Sequence, residues 1–148
     1  MKATTPTNSE TLAGPSPGLQ REAQLHRIAR DYVTEGLGAR SFDAIPYHEE
    51  VELRAPLLPG GSAAPLQGRA ALRDRWWAPL PDLIGAVRVL DTYVNQDRTA
   101  VTVEFHLDVH GSACTLRILD RFTVDAEGRI VAQENFFDPR PLTAPDTV

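Results

Sequence analysis

CTLRILDRFTVDAEGRIVAQENFFDPR, residues 114–140, decides the fold of this chain. Apolar and polar residues alternate on both sides of the segment DAEGR, where Gly128 can adopt a left-handed conformation. This pattern predicts two antiparallel strands joined by a tight turn. Side chains two residues apart point the same way, so Asp120 shares a strand face with Ile118, Phe122 and Val124.

Asp120 is therefore a carboxylate in an otherwise apolar row. Such a group is costly to bury unless it is paired, hydrogen-bonded or protonated. Groups with perturbed ionisation concentrate at functional sites, which makes Asp120 the first catalytic candidate. The alternative is a structural carboxylate that pairs with an arginine or accepts backbone N–H groups.

Periodicity predicts the remaining elements. Ser16 and Pro17 resemble a helix start, and an apolar stripe at helical spacing ends before Gly36 and Gly38. A short helix is predicted from Arg69 to about Trp77, beyond which Pro79 and Pro81 forbid regular helix continuation. Strands are predicted around residues 51–55, 86–94, 101–109, 115–124 and 130–137. Short connections between the last four favour an antiparallel meander, so the fold class is α+β with helices on one face of a curved sheet.

Length and composition favour one soluble domain. The 148 residues carry 42% hydrophobic and 24% charged side chains with a net charge of -5. We expect a disordered tail over residues 1–16, a single domain over 17–140 and a second tail over 141–148. The acidic balance argues against a nucleic-acid partner, and we interpret the cluster of Arg69, Arg73 and Arg75 as a solvated helix face.

The chain also lacks membrane and disulfide signals. No run approaches the ~18 apolar residues of a membrane span, and a lone cysteine, Cys114, excludes an intramolecular disulfide. We therefore predict a cytoplasmic protein with no membrane partner.

Residues 20–140 resemble the nuclear transport factor 2-like superfamily, particularly its SnoaL-like branch. That branch includes ketosteroid isomerases, polyketide cyclases and limonene-epoxide hydrolases. The features that carry the resemblance are the GRAAL helix start at residues 68–72, the hairpin ILDRFTVDAEGRI and the closing QENFFDP. The resemblance implies a cystatin-like conical barrel, with helices on a strongly curved, mostly antiparallel sheet. It also implies a hydrophobic pocket at the open end and a homodimer formed through the convex face.

The resemblance also assigns individual positions. Asp120 matches the position at which ketosteroid isomerases hold a protonated aspartic acid. Their general base falls on Ala55 here, and their oxyanion tyrosine falls near Tyr32 or Val33. Epoxide hydrolases of this fold use an Asp-Arg-Asp set, and their closing strand has an Arg-Asp pair where this chain has Glu134-Asn135.

Three further catalytic candidates accompany Asp120. Asn135 alternates with Gln133 and Phe137, so it could orient a water or a substrate carbonyl, or it could satisfy Asp120. Tyr32 offers a phenolic donor, with core packing as the alternative. Asp91 shares a row with Val87 and Val89 and could supply a second carboxylate; the alternative is a strand-end residue in water.

Substrate contacts are predicted from apolar residues near these candidates. Trp76 and Trp77 lie where the family covers the barrel mouth, one of them in the core and the other as a pocket wall. The remaining predicted contacts are Val89, Phe105, Ile118, Phe122 and Phe137.

No metal or cofactor is expected. His106, Asp108 and His110 form an H-x-D-x-H pattern on one strand face. The alternate residues of that strand are apolar, so the trio should face solvent or a dimer partner. The chain has neither a G-x-S-x-G elbow nor a phosphate-binding glycine loop.

The leading hypothesis is a small cofactor-independent enzyme that uses general acid–base catalysis on an apolar small molecule. Isomerisation, cyclisation, dehydration and epoxide opening all suit such a pocket. The alternative is a non-catalytic module of the same fold that binds a hydrophobic ligand or dimerises, and Ala55 favours it.

Overall fold

The computed structural model describes Gly14 and residues 16–143, which form helices packed against one sheet. The helices are α1 (Pro17–Asp31, continued by a π-helical stretch Tyr32–Gly38), α2 (Arg69–Ala71, continued by a π-helical stretch Leu72–Trp77), α3 (Leu80–Leu83) and α4 (Arg140–Thr143), with 3₁₀ turns at Phe42–Ala44 and Gly61–Ala63. The strands are β1 (Tyr47–Arg54), β2 (Leu66–Gln67), β3 (Ile84–Val94), β4 (Ala100–Val109), β5 (Thr115–Val124) and β6 (Ile130–Phe136).

The sheet confirms the predicted α+β class and meander. Within the described residues its order is β2-β1-β6-β5-β4-β3, and every pair is antiparallel except β1 with β6. Register shifts in β1, β3 and the β5–β6 pair mark bulges, which bend a sheet. Because β2 and β3 remain as edges, the expected barrel is an open cone.

Helix α1 begins where the sequence predicts. The Ser16 side chain accepts a hydrogen bond from the Leu19 N–H at 3.3 Å, and Pro17 occupies the first turn. Leu25, Ile28 and Ala29 are buried against β3 and β4. The π-helical stretch then carries the helix through Gly36 to Gly38 and buries Tyr32 at its start.

The helix that follows α2 ends at Trp77, as Pro79 and Pro81 predict. A separate turn, α3, then contains Pro81, because a proline in the first turn lacks only an N–H that has no intrahelical partner. One expectation about the chain's ends needs correction, because the fold continues past residue 140 and α4 places Leu142 against the core. Of the predicted N-terminal tail, Gly14 and the helix cap Ser16 are described, and the other tail residues outside α4 are not.

Two other expectations stay predictions. Leu119 and Phe136 are register partners whose side chains are exposed on the outer face of the sheet, the face predicted to form a homodimer. No helix among the described residues is long and apolar enough to cross a membrane. Neither observation tests the dimer or the cytoplasmic location.

Arg21 fixes α1 to the end of the sheet. Its guanidinium donates to the carbonyl of Val124 at 2.8 Å, to that of Asp125 at 3.0 Å and to that of Arg98 at 3.0 Å. One side chain therefore joins the helix to both the β3–β4 and the β5–β6 turns. This contact helps to set where α1 places Tyr32.

We expect Arg21→Met to lower the free energy of unfolding by about 1–3 kcal/mol, because partly buried carbonyls lose a charged donor. Arg27→Met is the matched control, since Arg27 is exposed on the same helix. Chemical denaturation measures both variants. Equal losses in the two variants would contradict this role for Arg21.

Candidate active site

A cavity of about 200 Å³ lies between the sheet and the shorter helices. Its polar lining consists of Tyr32, Arg75, Asp120 and Asn135. The rest of the wall is apolar and comes from the helices, the loop after β1, strands β3–β5 and the segment after β6: Leu37, Ala55, Leu57, Leu58, Trp76, Pro79, Leu80, Leu83, Ile84, Phe105, Leu107, Val109, Leu116, Ile118, Phe137 and Leu142. A mostly apolar cavity with a few convergent polar groups is the usual form of a small-molecule site.

Asp120 is the buried carboxylate of this cavity, with 1% of its surface exposed. Strand register places it directly opposite Asn135, whose Nδ2 donates to Oδ1 of Asp120 at 2.7 Å. Burial raises the pKa of Asp120 to about 7, although hydrogen bonds from Asn135 and Tyr32 act in the opposite direction. Among the described residues no arginine pairs with Asp120, which leaves a carboxyl group able to hold or release a proton near neutrality.

A chain of buried polar groups ends at Asp120. The Tyr47 hydroxyl donates to Oε1 of Gln133 at 2.5 Å, and Nε2 of Gln133 donates to the Tyr32 hydroxyl at 3.1 Å. The Tyr32 hydroxyl accepts this hydrogen bond and in turn donates one to the Asp120 carboxyl group. Each donor thus points along the chain toward the carboxylate.

The two phenols of this chain keep their protons. Burial, followed by the negative charge of Asp120, raises the pKa of both Tyr32 and Tyr47 well above the usual value. Both therefore act as hydrogen-bond donors, and the proton that moves near neutral pH belongs to Asp120.

Ala55 lies on the cavity wall at the position to which the resemblance assigns the isomerase-type base. It is 2% exposed and contributes only a methyl group there. Within the described part of the chain, Asp120 is the one carboxylate that lines the cavity. A mechanism with two carboxylates finds no second group among the described residues of this wall.

The predicted substrate contacts divide into wall and core residues. Phe105, Ile118, Phe137 and Trp76 line the cavity. The other three lie elsewhere: Trp77 packs on Phe42 at 5.7 Å between ring centroids, Phe122 packs beneath Tyr32 at 4.8 Å, and Val89 packs against the core. Phe122 supports the site from below without reaching the ligand space.

Asp91 does not reach the cavity. A register shift between Val89 and Asp91 breaks the two-residue alternation, so Thr92 turns inward and Asp91 becomes exposed. Its Oδ1 accepts the Thr92 N–H at 2.8 Å, while the Thr92 hydroxyl lies 2.6 Å from Nδ1 of His26. The alternative reading of Asp91, a solvated strand residue, is the one that fits.

His106 and Asp108 of the H-x-D-x-H pattern lie on the outer face of β4, and His110 is an exposed turn residue after the strand. Asp108 accepts a hydrogen bond from Thr115, and His106 lies 3.1 Å from the Arg88 guanidinium. No group of three potential ligands for a metal occurs among the described residues.

Sequence analysis missed three contributors to the site. Tyr47 carries no motif of its own, although extending the Val51-Leu53 row back toward the strand start, across the bulge, leads to it. The sequence pattern predicts a solvated face for Arg75 and a tail for Leu142. Their place on the wall depends on the paths of α2 and α4, which no local pattern reports.

The pH dependence of stability tests the burial of Asp120. The pKa of Asp120 rises from 3.8 to about 7 on folding, so between these values the native state holds a proton that the unfolded chain has released. This contribution to stability is present below pH ~4 and is lost as the pH rises through ~7, by roughly 4 kcal/mol over the window. We expect Asp120→Asn to become progressively more stable relative to wild type across this window.

Denaturation of both proteins at several pH values measures this difference. Asp91→Asn is the matched control, because it makes the same chemical change at an exposed carboxylate. Its stability curve should parallel that of wild type. A parallel curve for Asp120→Asn as well would show that Asp120 ionises normally in the native state.

A double-mutant cycle tests the polar chain. Tyr47→Phe and Gln133→Met each break the 2.5 Å hydrogen bond and leave a buried group unsatisfied, so each should destabilise the fold by about 1–3 kcal/mol. The double variant should lose less than the sum, with a coupling energy of about 0.5–3 kcal/mol. Additive losses in denaturation experiments would contradict the contact.

Comparison with known proteins agrees with this architecture. The SnoaL-like domain family matches residues 29–133. A steroid delta-isomerase from Pseudomonas aeruginosa is 18% identical with a TM-score of 0.60, covering 80% of this chain and 82% of its own. The epoxide hydrolase/cyclase-like enzyme SalBIII, described for pyran ring formation in the polyether salinomycin, is 20% identical with a TM-score of 0.60, covering 82% and 93%.

A protein of unknown function with a cystatin-like fold, from Methylobium petroleophilum, is 16% identical with a TM-score of 0.63, covering 84% of this chain and 79% of its own. A comparison with curated proteins found no match. The solved structures share the fold at low identity, and the domain match spans most of the chain. The chain therefore belongs to the SnoaL-like domain family.

Proposed function

We propose that this protein is a small enzyme that uses Asp120 as a general acid–base on an apolar molecule bound in the cavity. The observation that carries the proposal is a lone buried carboxylate, with a pKa of about 7, on the wall of a mostly apolar cavity. A catalytic group is most effective when its pKa lies near the working pH. The proton resides on a side chain, so the proposed chemistry requires no cofactor.

A single carboxylate favours reactions in which one group both takes and returns a proton. In its ionised form Asp120 removes a proton from one atom of the substrate. The resulting carboxylic acid then returns that proton to another atom, so the substrate keeps its composition. Isomerisation and intramolecular cyclisation have this balance, and neither consumes water.

Asn135 and Tyr32 position Asp120 for this exchange. Both donate hydrogen bonds to the carboxyl group, which stabilises its ionised form and limits how far burial raises its pKa. The Gln133 donor holds the Tyr32 hydroxyl in place. Trp76, Phe105 and Phe137 would hold the apolar body of the substrate and exclude water.

A second candidate function is a hydrophobic-ligand-binding module without catalysis. Ala55 favours it, because the cavity has an apolar wall where the related isomerases are expected to have a base. Such a module would bind the same ligands and leave them unchanged.

Proton abstraction can be tested without the natural substrate by using 5-nitrobenzisoxazole. A base removes its ring C–H proton while the N–O bond breaks, and the phenolate product is coloured. We expect saturable turnover that rises with pH and has its midpoint near 7, because only the ionised form of Asp120 accepts the proton. Asp120→Asn should lower kcat/KM by about 10²- to 10⁴-fold.

Asp91→Asn serves as the control and should retain wild-type turnover, since this carboxylate is exposed and does not line the cavity. Full activity in Asp120→Asn would refute the catalytic assignment. Binding of the probe to wild type with no turnover above that of Asp120→Asn would support the binding-module alternative.

A further inference from the structure

Arg75 is the basic residue of the cavity wall. It lies in the π-helical stretch that follows α2, next to Trp76, and its side chain is exposed toward solvent. Asp120, in contrast, is almost fully buried on β5. The cavity therefore has an acid at its buried end and a cation at its open end, with apolar residues between them.

The guanidinium of Arg75 has no partner among the described residues. Its neighbours on the same segment are already paired: Arg69 with Asp43 at 3.0 Å and Arg73 with Asp74 at 3.2 Å. No hydrogen bond or ion pair joins Arg75 to another described side chain or carbonyl. A guanidinium is always charged in proteins, so this charge is available to a ligand.

Space for a ligand group exists on both sides of Arg75. A second hollow of about 560 Å³ adjoins the cavity, and the two share Leu58 and Arg75. The rest of the hollow is formed by the proline-containing loop after β1 and by Leu66 of β2. A group held by Arg75 can therefore remain partly solvated while the body attached to it enters the cavity.

We infer that Arg75 forms an anion subsite at the mouth of the cavity, which binds the carboxylate of a ligand whose apolar body lies against Trp76 and Phe105. The planar guanidinium fork matches a carboxylate in two parallel hydrogen bonds. A single free cation suits a monoanion better than a phosphate dianion, which normally recruits several donors. With a net charge of -5, the protein as a whole repels anions, so selective binding requires such a local cation.

This inference rests on the proposed use of the cavity for an apolar molecule and names the class of that molecule: an amphipathic carboxylic acid. The functional group that reacts at Asp120 would lie at the opposite end from the carboxylate. An apolar compound without an anionic group would fill the cavity but would not use Arg75.

A matched pair of probes tests the subsite in the full chain. 2-Naphthoate and 2-naphthamide share one aromatic body and differ in the charge of the terminal group. Their affinities are measured by calorimetry at about pH 6, where Asp120 holds its proton and does not repel the naphthoate. The proteins compared are wild type, Arg75→Gln and the control Arg73→Gln, which makes the same change of charge on the same segment away from the cavity wall.

We expect wild type to bind naphthoate more tightly than naphthamide. Arg75→Gln should weaken naphthoate binding about three- to tenfold and leave naphthamide binding unchanged, while Arg73→Gln should behave as wild type. Equal effects of the two substitutions on naphthoate would overturn the inference. If naphthamide binds all three proteins equally and naphthoate binds Arg75→Gln as tightly as wild type, the subsite is refuted and the proposed apolar site stands. If neither probe binds wild type, the inference and the proposed ligand class are both wrong.

Discussion

The site depends on the cost of placing one carboxyl group inside an apolar core. Asp120 is 1% exposed, so water cannot solvate its charge, and the protein must supply hydrogen bonds or leave the group protonated. The protein combines the two solutions. Asn135 and Tyr32 donate hydrogen bonds to the carboxyl group, yet burial still raises the pKa of Asp120 to about 7. The balance leaves both protonation states accessible near neutral pH.

The surrounding fold supplies the geometry that this balance requires. The antiparallel register of β5 and β6 places Asn135 directly across from Asp120. The π-helical stretch after α1 begins at Tyr32, and Gln133 joins its hydroxyl to Tyr47 on β1. A helix and three strands thus converge on one hydrogen-bonded chain. Since the phenols are held in their protonated form, Asp120 is the group in this chain that can exchange a proton with a ligand.

Sequence reasoning predicts the part of this site that follows strand periodicity. The positions of Asp120 and Asn135 on inward-facing rows follow from two-residue alternation, and the open cone follows from the order of elements and the family resemblance. Asp91 shows the limit of this reasoning. One bulge in β3 turns its side chain to the outer face of the sheet, and no residue type in the strand indicates that bulge.

Contacts between distant segments lie beyond such periodicity. The bond between Tyr47 and Gln133 spans 86 residues and depends on the parallel pairing of β1 with β6. In the sequence, Arg75 is one of three clustered arginines. The structure distinguishes it, because Arg75 lines the cavity while Arg69 and Arg73 form ion pairs elsewhere. Trp77 and Phe122 are predicted substrate contacts that the structure places in the core instead. Sequence alone does not separate a large apolar residue of the pocket wall from one in the core beneath it.

The most direct test of this account is the titration of the Asp120 carboxyl carbon in the wild-type protein by ¹³C NMR. Desolvation in the cavity predicts a midpoint near pH 7, with Asp120→Asn identifying the resonance by its disappearance. A midpoint close to the ordinary value of 3.8 would contradict the account, because Asp120 would then carry a fixed charge and could not exchange a proton at neutral pH.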